Sequence, residues 1–199
     1  MSDSFLPRLV YYLSVHQWRI GTYLALLLFL SPGSSSVVYA QTSSCSELVA
    51  DGGFESGQGW AIKSHGNYSV LSTVQAHTGA QSAYLAGMDN ADDLLVTKLT
   101  LPAAQQSLSL SLWWKVNSED ARDTNDKLNV EVANSAGKVR QTVLTLGSDR
   151  ASNRWHQSTI DLSDFAGQTI QLQFVAKTDE TSITDFFIDD VSVTACGGG

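Results

Sequence analysis

Hydrophobic and polar residues alternate along three segments of the chain with the two-residue period of a β-strand. In residues 107–116, 127–134 and 169–177 almost every second side chain is apolar, and most of those between are Ser, Asn, Gln or charged. Successive side chains of a strand point to opposite faces, so each segment predicts a strand with one buried and one solvent-facing side. Trp114 falls on the apolar side of the first segment, and Trp113 falls on the polar side.

Weaker strand patterns occupy much of the remaining chain, and clusters of Gly, Asn, Asp and Ser separate them. The segments are 60–64, 68–75, 82–87, 93–100, 138–146, 154–162 and 184–196. Helix signals are nearly absent, and we expect a single helical turn at 163–167, with Ser163 as its N-cap and Gly167 as its stop. About ten short strands at this spacing predict an all-β antiparallel sandwich or barrel.

The first forty residues carry the pattern of a signal peptide. An apolar run of eleven residues, 20–30, follows Arg8 and Arg19 and is too short for a spanning helix, which needs about 20 residues. Small residues precede Gln41, so we expect cleavage after Ala40, which leaves a single secreted domain over 41–199. An uncleaved membrane anchor is the alternative.

The charge of the chain excludes one class of function. The full chain has a net charge of -8, and removal of Arg8, Arg19 and Asp3 with the leader leaves 10 basic and 19 acidic residues. A nucleic-acid surface needs positive charge to displace counterions, so no nucleic-acid partner is expected. The acidity is consistent with solubility and with cation binding.

The two cysteines lie near the two ends of the predicted domain. An even cysteine count in an exported chain favours a disulfide, here Cys45–Cys196, and two free thiols are the alternative. Such a bridge would bring the terminal strands side by side.

Two adjacent acids interrupt the last apolar strand. Asp189 and Asp190 stand between Ile188 and Val191, where an unpaired carboxylate costs several kcal/mol. Strand alternation places the two side chains on opposite faces, so at most one is expected to face a buried partner. A solvated pair at a strand edge is the alternative.

The terminal motifs carry a family resemblance. The chain opens with "LVADGGFESGQGW" (48–60) and closes with "FFIDDVSV" (186–193), with matching segments in order at 76–87, 99–116, 126–132 and 154–179. Over residues 45–196 it resembles the jelly-roll domains of the galactose-binding-like group. That group includes carbohydrate-binding modules, MAM-type adhesion domains and the C-terminal modules of immune-inhibitor-type metallopeptidases. The resemblance implies an antiparallel jelly-roll β-sandwich.

The resemblance also implies one structural calcium ion. Its ligands would be the carboxylates of Glu55 and Asp189, with main-chain carbonyls near Gly53 and Gln81 completing the shell. Asp190 is the alternative to Asp189. Calcium binds six to eight oxygen ligands, which carboxylates and carbonyls supply.

No catalytic motif accompanies this framework. His65, His77 and His156 form no H-E-x-x-H pattern, and no G-x-S-x-G elbow is present. A glycosidase needs two facing carboxylates, and nothing in the spacing supports a pair such as Glu119 with Asp189. We therefore expect a non-enzymatic protein, with a cryptic hydrolase as the least favoured alternative.

Binding remains the expected role. Trp113 shares the polar side of its strand with serines and Lys115, so it is the aromatic side chain most available to a ligand, with Tyr68, His65 and Arg122 as its predicted neighbours. Trp60, Trp114 and Trp155 are expected in the core. The leading hypothesis is a secreted, calcium-stabilised module that binds extracellular or cell-surface carbohydrate. The alternative is a protein–protein adhesion or protease-accessory module without sugar specificity.

Overall fold

The computed structural model describes residues 44–66, 68–103, 107–119, 122 and 125–197. The predicted signal peptide, residues 1–40, lies outside these ranges. The described chain is built from β-strands in the following order: β1 Ser44–Glu47, β2 Ala61–Lys63, β3 Leu71–Ser72, β4 Ser82–Leu85, β5 Asp92–Thr100, β6 Ser107–Ser118, β7 Lys127–Asn134, β8 Val139–Gly147, β9 His156–Asp161, β10 Thr169–Lys177 and β11 Thr184–Gly197.

The strands form two antiparallel sheets that pack face to face. The six-stranded sheet has the order β3-β4-β11-β6-β9, with β1 paired to the C-terminal part of β11. The five-stranded sheet has the order β2-β5-β10-β7-β8. Side chains of both sheets meet in one hydrophobic core, in which Leu110 of β6 and Phe174 of β10 are fully buried. The predicted single-domain all-β sandwich is confirmed.

Alternation along the strands predicted the burial pattern. In β6 the side chains of Leu108, Leu110, Leu112, Trp114 and Val116 are buried, and those between them are partly or fully exposed. The bounds of β7 and β10 are those that the alternation predicts. A two-residue period that coincides with one buried face therefore located these strands from the sequence alone.

The segment 68–75 differs from its prediction, because only Leu71 and Ser72 pair as a strand with β4. The chain then enters a loop that runs to the start of β4 and contains Gly79 at a positive φ of 63°. This loop, residues 73–81, contacts Asp189 and Asp190 of β11 through His77 and Thr78 and contributes to the site described below.

Helical structure in the described ranges consists of 3-10 turns at Ser148–Arg150 and Ser163–Phe165. The expectation that Ser163 caps the second turn is wrong, because Leu162 holds the N-cap position and Ser163 instead donates its N–H and hydroxyl to the Asp161 carboxylate. Gly167 ends the turn with φ 75°, as expected. No helix in the described part of the chain has the length and apolar character that crossing a membrane requires.

The predicted disulfide is confirmed. Cys45 of β1 lies directly opposite Cys196 of β11 in the antiparallel register, and their sulfur atoms are bonded across a sequence separation of 151 residues. Glu47, at the end of β1, accepts the N–H of Val193 at 2.9 Å, so a hydrogen bond reinforces the same junction. The beginning and the end of the domain are thus held together covalently.

Candidate functional site

A β-bulge in β11 places the two adjacent aspartates. The pairing of β11 with β6 shifts register between Asp189 and Ser192, and Asp190 adopts a positive φ of 46°. A bulge inserts one residue into a strand and redirects the side chains around it. Both carboxylates consequently reach the same loop, at His77 and Thr78, and the expectation that they face opposite sides is wrong.

Backbone amides pair with the buried carboxylate. Asp189 is fully buried, and its Oδ2 accepts the N–H groups of His77 at 2.7 Å and Thr78 at 3.2 Å. Its Oδ1 accepts the N–H of Asp190 at 2.7 Å. Burial raises the pKa of Asp189, and these three hydrogen bonds act in the opposite direction. Main-chain donors thus account for a carboxylate among apolar neighbours.

Asp190 fastens the side chains of the same loop. Its Oδ2 lies 2.5 Å from Nδ1 of His77, and its Oδ1 accepts the hydroxyl of Thr78 at 2.6 Å. The pair of aspartates therefore holds both the backbone and the side chains of residues 77–78 against the bulge.

Glu55, in the opening motif, holds the following part of the loop. Its Oε1 accepts the N–H groups of Ala80 at 2.8 Å and Gln81 at 3.0 Å, while the Gln81 side chain donates to the Glu55 carbonyl at 3.1 Å. The approach is close, since a Cβ on Gly79 would stand 2.2 Å from Oε1. The sequence predicted that Glu55 and Asp189 lie near each other. In the structure Asp189 contacts residues 77–78 and Glu55 contacts residues 80–81 of the same loop.

The opening motif docks directly on the bulge. The N–H of Val191 donates to the carbonyl of Gly52 at 2.9 Å, and a Cβ on Gly52 would lie 1.8 Å from the Val191 carbonyl oxygen. Phe54 is fully buried and packs against Trp60, with ring centroids 5.1 Å apart. Glycine is required at position 52 because two main chains touch there.

Carboxylate oxygens are the ligands that hard cations prefer. Glu55 and both aspartates bring three carboxylates to one loop, and within the described residues His77 is the basic side chain that pairs with them. No three or more His, Cys, Asp or Glu side chains in the described ranges are grouped to bind a metal by themselves. Carbonyl oxygens near Gly53 and Gln81 would have to complete a calcium shell, as the resemblance implies.

Aromatic rings line the outer face of the six-stranded sheet in one continuous set, which we call the aromatic row. The stacked pair Trp113–His77 has centroids 3.9 Å apart, and Trp155 meets His77 edge-on at 5.7 Å. Further edge-on, stacked and tilted contacts continue the row through Trp155–Phe187 at 6.5 Å, Phe187–Tyr84 at 5.0 Å and Tyr84–Tyr68 at 5.4 Å.

Burial along the aromatic row differs from the sequence expectation at one position. Trp155 is partly exposed and lies outside the hydrophobic core, so its expected core placement is wrong. Its indole instead covers Phe187, which is only 1% exposed although it lies on the outer face. Trp60 and Trp114 are buried core residues, as expected. Trp113 is partly exposed, with one ring face covered by His77.

A cleft of about 470 Å³ opens beside the aromatic row, and we call it the sheet cleft. It is lined by Gln75, Lys115, Val116, Asn117, Ser118, Ala151, Ser152 and Asn153. The cleft is lined by three chain segments, and an aromatic residue of the row lies two positions away from each along the sequence. These neighbours are His77 after Gln75, Trp113 before Lys115 and Trp155 after Asn153. Trp113 and Lys115 share the outward side of β6, where two residues span about 7 Å, so Trp113 lies about that far from the cleft residue Lys115.

Tyr68 and His65, two of the predicted neighbours of Trp113, both contact Asp93. Tyr68 is at the far end of the aromatic row, where its hydroxyl donates to the buried carboxylate of Asp93. Burial and that carboxylate raise the pKa of Tyr68. His65 donates its N–H to the same carboxylate at 3.2 Å, and Arg122 lies in a turn between β6 and β7. A shared role of these side chains with Trp113 stays a prediction.

Sequence reasoning missed His77, Trp155 and the cleft residues Gln75 and Asn153. These residues belong to loops, where no periodicity indicates which way a side chain points. Lys115 carried a usable signal, because it shares the outward side of β6 with Trp113.

The comparisons with known proteins agree with this architecture. Residues 50–197 match the family described as MAM domain, meprin/A5/mu. The adhesin domain K3 of Lys-gingipain from Porphyromonas gingivalis is similar in structure, with a TM-score of 0.53 and 21% identity over 74% of this chain and 98% of that one. The carbohydrate-binding module TmCBM61, solved with β-1,4-galactotriose, has a TM-score of 0.51 and 16% identity over 74% of this chain and 97% of that one. At such identities the likeness shows the fold alone. No curated protein matches the chain in sequence.

Proposed function

Because the chain belongs to the MAM domain family, we propose that it is a secreted, non-catalytic module that binds extracellular carbohydrate on the outer face of its six-stranded sheet. The observation that carries this proposal is the sheet cleft beside the partly exposed rings of Trp113 and Trp155. The family and the Cys45–Cys196 bridge are consistent with an extracellular protein.

The lining of the cleft suits a sugar. Gln75, Asn117 and Asn153 offer amide donors and acceptors, and Ser152 offers a hydroxyl that also contacts Nε2 of His156 at 2.8 Å. Pyranose hydroxyls need several such polar groups, while the apolar ring faces of the sugar pack on aromatic side chains. A volume of about 470 Å³ falls in the range of small-ligand sites.

The structural likeness to TmCBM61 supports the carbohydrate class, since that module was solved with a galactose oligomer in a sandwich of the same fold. Function belongs to a site and not to a fold, so this likeness supports the proposal without naming the sugar.

We further propose that calcium stabilises the module. Glu55 and Asp189 would hold the ion together with carbonyl oxygens near Gly53 and Gln81, and a bound cation would supply the positive charge that these carboxylates otherwise lack. The loop that would close around it carries His77, which stacks on Trp113. The ion would therefore support the aromatic end of the cleft.

Titration of the purified protein with a panel of neutral and acidic oligosaccharides, followed by calorimetry, tests the carbohydrate proposal. The double variant Asn117→Ala/Asn153→Ala should weaken binding at least about tenfold, since two polar contacts are lost. Asn129→Ala is the matched control, because Asn129 belongs to β7 of the other sheet and bonds Thr145. Absence of any sugar binding, or equal loss in the control, contradicts the proposal.

Protein–protein adhesion is the second candidate. Val74 is 69% exposed immediately beside the cleft residue Gln75, and an apolar side chain at a rim suits a protein contact. The similarity to an adhesin domain is in keeping with this role. Capture of one secreted protein partner that added sugars do not displace, and that Val74→Ser weakens, would favour it.

A further inference from the structure

Lys115 is the charged side chain among the residues that line the sheet cleft. Resting on the proposed carbohydrate function, we infer that the cleft selects sugars bearing an anionic group, a carboxylate or a sulfate ester, and that the Lys115 ammonium binds this group.

The surroundings of Lys115 are apolar along its stem. Lys115 lies opposite Phe187 of the neighbouring strand β11. On the β9 side of β6, Trp114 pairs with His156, so the antiparallel register places Trp155 next to Lys115. A lysine stem can cover apolar surface while its ammonium reaches a polar region. The ammonium of Lys115 accordingly reaches the cleft, where it donates to Oε1 of Gln75 at 2.7 Å.

The charge of Lys115 has no carboxylate partner in the described part of the chain. Ion pairs there include His77–Asp190, Arg150–Asp149 and Lys177–Asp92, and Lys115 belongs to none of them. A partly buried cation is costly unless an anion compensates it. An ammonium has three donors, and the single contact to Gln75 leaves two of them for a ligand.

This arrangement is unusual in a chain with a net charge of -8. Acidic side chains are abundant, yet a neutral amide holds the half-buried lysine. Binding sites keep such a group unpaired when the ligand supplies the opposite charge, and charge-assisted hydrogen bonds are roughly twice as strong as neutral ones.

The charges around the cleft are unevenly distributed. Arg150 and Arg154 flank the lining loop 151–153, although Arg150 also lies 3.8 Å from Asp149. Asp185 lies opposite Asn117 in the register and interacts electrostatically with Glu119. An anionic substituent is therefore expected nearer to Lys115 than to Asn117.

The test is calorimetric titration of the full protein with three matched probes: a neutral galacto-oligosaccharide, an oligogalacturonate of the same length and a sulfated galactan oligosaccharide. We expect at least one acidic probe to bind at least about tenfold more tightly than the neutral one. Its advantage should shrink as salt is raised from low to high concentration, because exposed charge interactions are screened. The two acidic probes distinguish a carboxylate from a sulfate.

Variants separate charge from folding. Lys115→Met should abolish the preference for the acidic probe, measured as the ratio of acidic to neutral affinity within that variant, and Lys115→Arg should retain that ratio. Lys98→Met is the matched control, since Lys98 belongs to β5 of the other sheet, and it should change neither affinity. The melting temperature of each variant verifies folding.

Two results overturn the inference, and they differ from failure of the proposed function. Equal affinity for neutral and acidic probes, or an acidic preference that survives Lys115→Met, contradicts the role of Lys115 while carbohydrate binding stands. If no probe binds and an acidic peptide does, both the inference and the carbohydrate proposal fail.

Discussion

The imidazole of His77 stacks on the indole of Trp113, with ring centroids 3.9 Å apart and planes inclined by 14°. The imidazole is itself held by Asp190, whose Oδ2 lies 2.5 Å from Nδ1. The surface that Trp113 offers to a ligand therefore depends on a loop fastened by the last strand. His77 thus connects the bulge in β11 with the aromatic end of the candidate site.

Replacement of His77 by Ala should destabilise the domain by about 1–2 kcal/mol, since it removes both a ring stack and a carboxylate contact. Urea denaturation measures the change. His156→Ala is the matched control, because that ring stacks on Trp114 at 4.7 Å but bonds a serine hydroxyl instead of a carboxylate. An equal or larger loss in the control would contradict the importance of the Asp190 contact.

The two adjacent glycines of the opening motif should respond differently to substitution. Gly52→Ala forces a Cβ to within 1.8 Å of the Val191 carbonyl oxygen and should cost about 3 kcal/mol or more, because a main chain has to move. Gly53→Ala meets its nearest atoms at 3.8 Å, an ordinary contact, and should change stability much less. Similar melting temperatures for the two variants would show that the motif does not dock on the bulge.

Removal of the disulfide should lower stability substantially. For a closed loop of about 150 residues the chain-entropy relation gives about 5 kcal/mol, most of which Cys45→Ser/Cys196→Ser should lose. Guanidinium denaturation of the oxidised and reduced wild type, beside the double variant, measures this. Reduction should leave the variant unchanged, and an unaltered wild type after complete reduction would contradict the expectation.

Calcium should raise the melting temperature if the proposed ion is bound. At a hundredfold excess over the Kd, binding to the folded state alone adds about 2.7 kcal/mol, which corresponds to about 5–10 °C for a domain of this size. A chelator should reverse the shift, and Glu55→Gln should weaken it. A melting temperature that responds to neither treatment, with no ion found by elemental analysis, would remove the calcium proposal.

The pH dependence of stability should reveal Asp185. Burial raises the pKa of Asp185 above its ordinary 3.8, and the charge of Glu119 acts in the same direction, while the hydroxyl donated by Tyr84 at 2.9 Å opposes them. The folded state therefore holds this proton more tightly than the unfolded state. The protonated Asp185 therefore contributes free energy of unfolding that is fully present below pH 3.8 and is lost as pH rises through the raised pKa.

The difference in unfolding free energy between wild type and Asp185→Asn should consequently fall as pH increases from 3 to 7 in a series of urea titrations. Asp161→Asn provides the opposite sign, because hydrogen bonds from Ser163 lower the pKa of Asp161 and the wild type gains stability over that variant as pH rises. Parallel pH profiles for the two variants would contradict both assignments.

Prediction from the sequence succeeded where the determining physics is local or covalent. The alternation in 107–116, 127–134 and 169–177 located β6, β7 and β10, because a period of two coincides with one buried face. The cysteine count predicted the bridge between the chain ends. The nearness of Glu55 to the aspartates followed from that bridge.

The candidate site was only partly accessible from the sequence. Trp113 was identified because it is an aromatic residue on the polar side of a regular strand, and the same alternation places Lys115 on that outward side. The ring that covers Trp113 comes from His77, in a loop with no periodicity.

By itself the sequence determined the fold class, the principal strands and the closure of the chain by its cysteines, since backbone period and thiol chemistry need no distant partner. Tertiary structure alone decided that a bulge turns Asp189 and Asp190 toward one loop and that Trp155 covers the outer face of a sheet. It also decided that the Lys115 ammonium reaches a cleft in which its partner is an amide and not a carboxylate. These features depend on segments far apart in the chain meeting in three dimensions, where a register shift of one residue redirects a side chain.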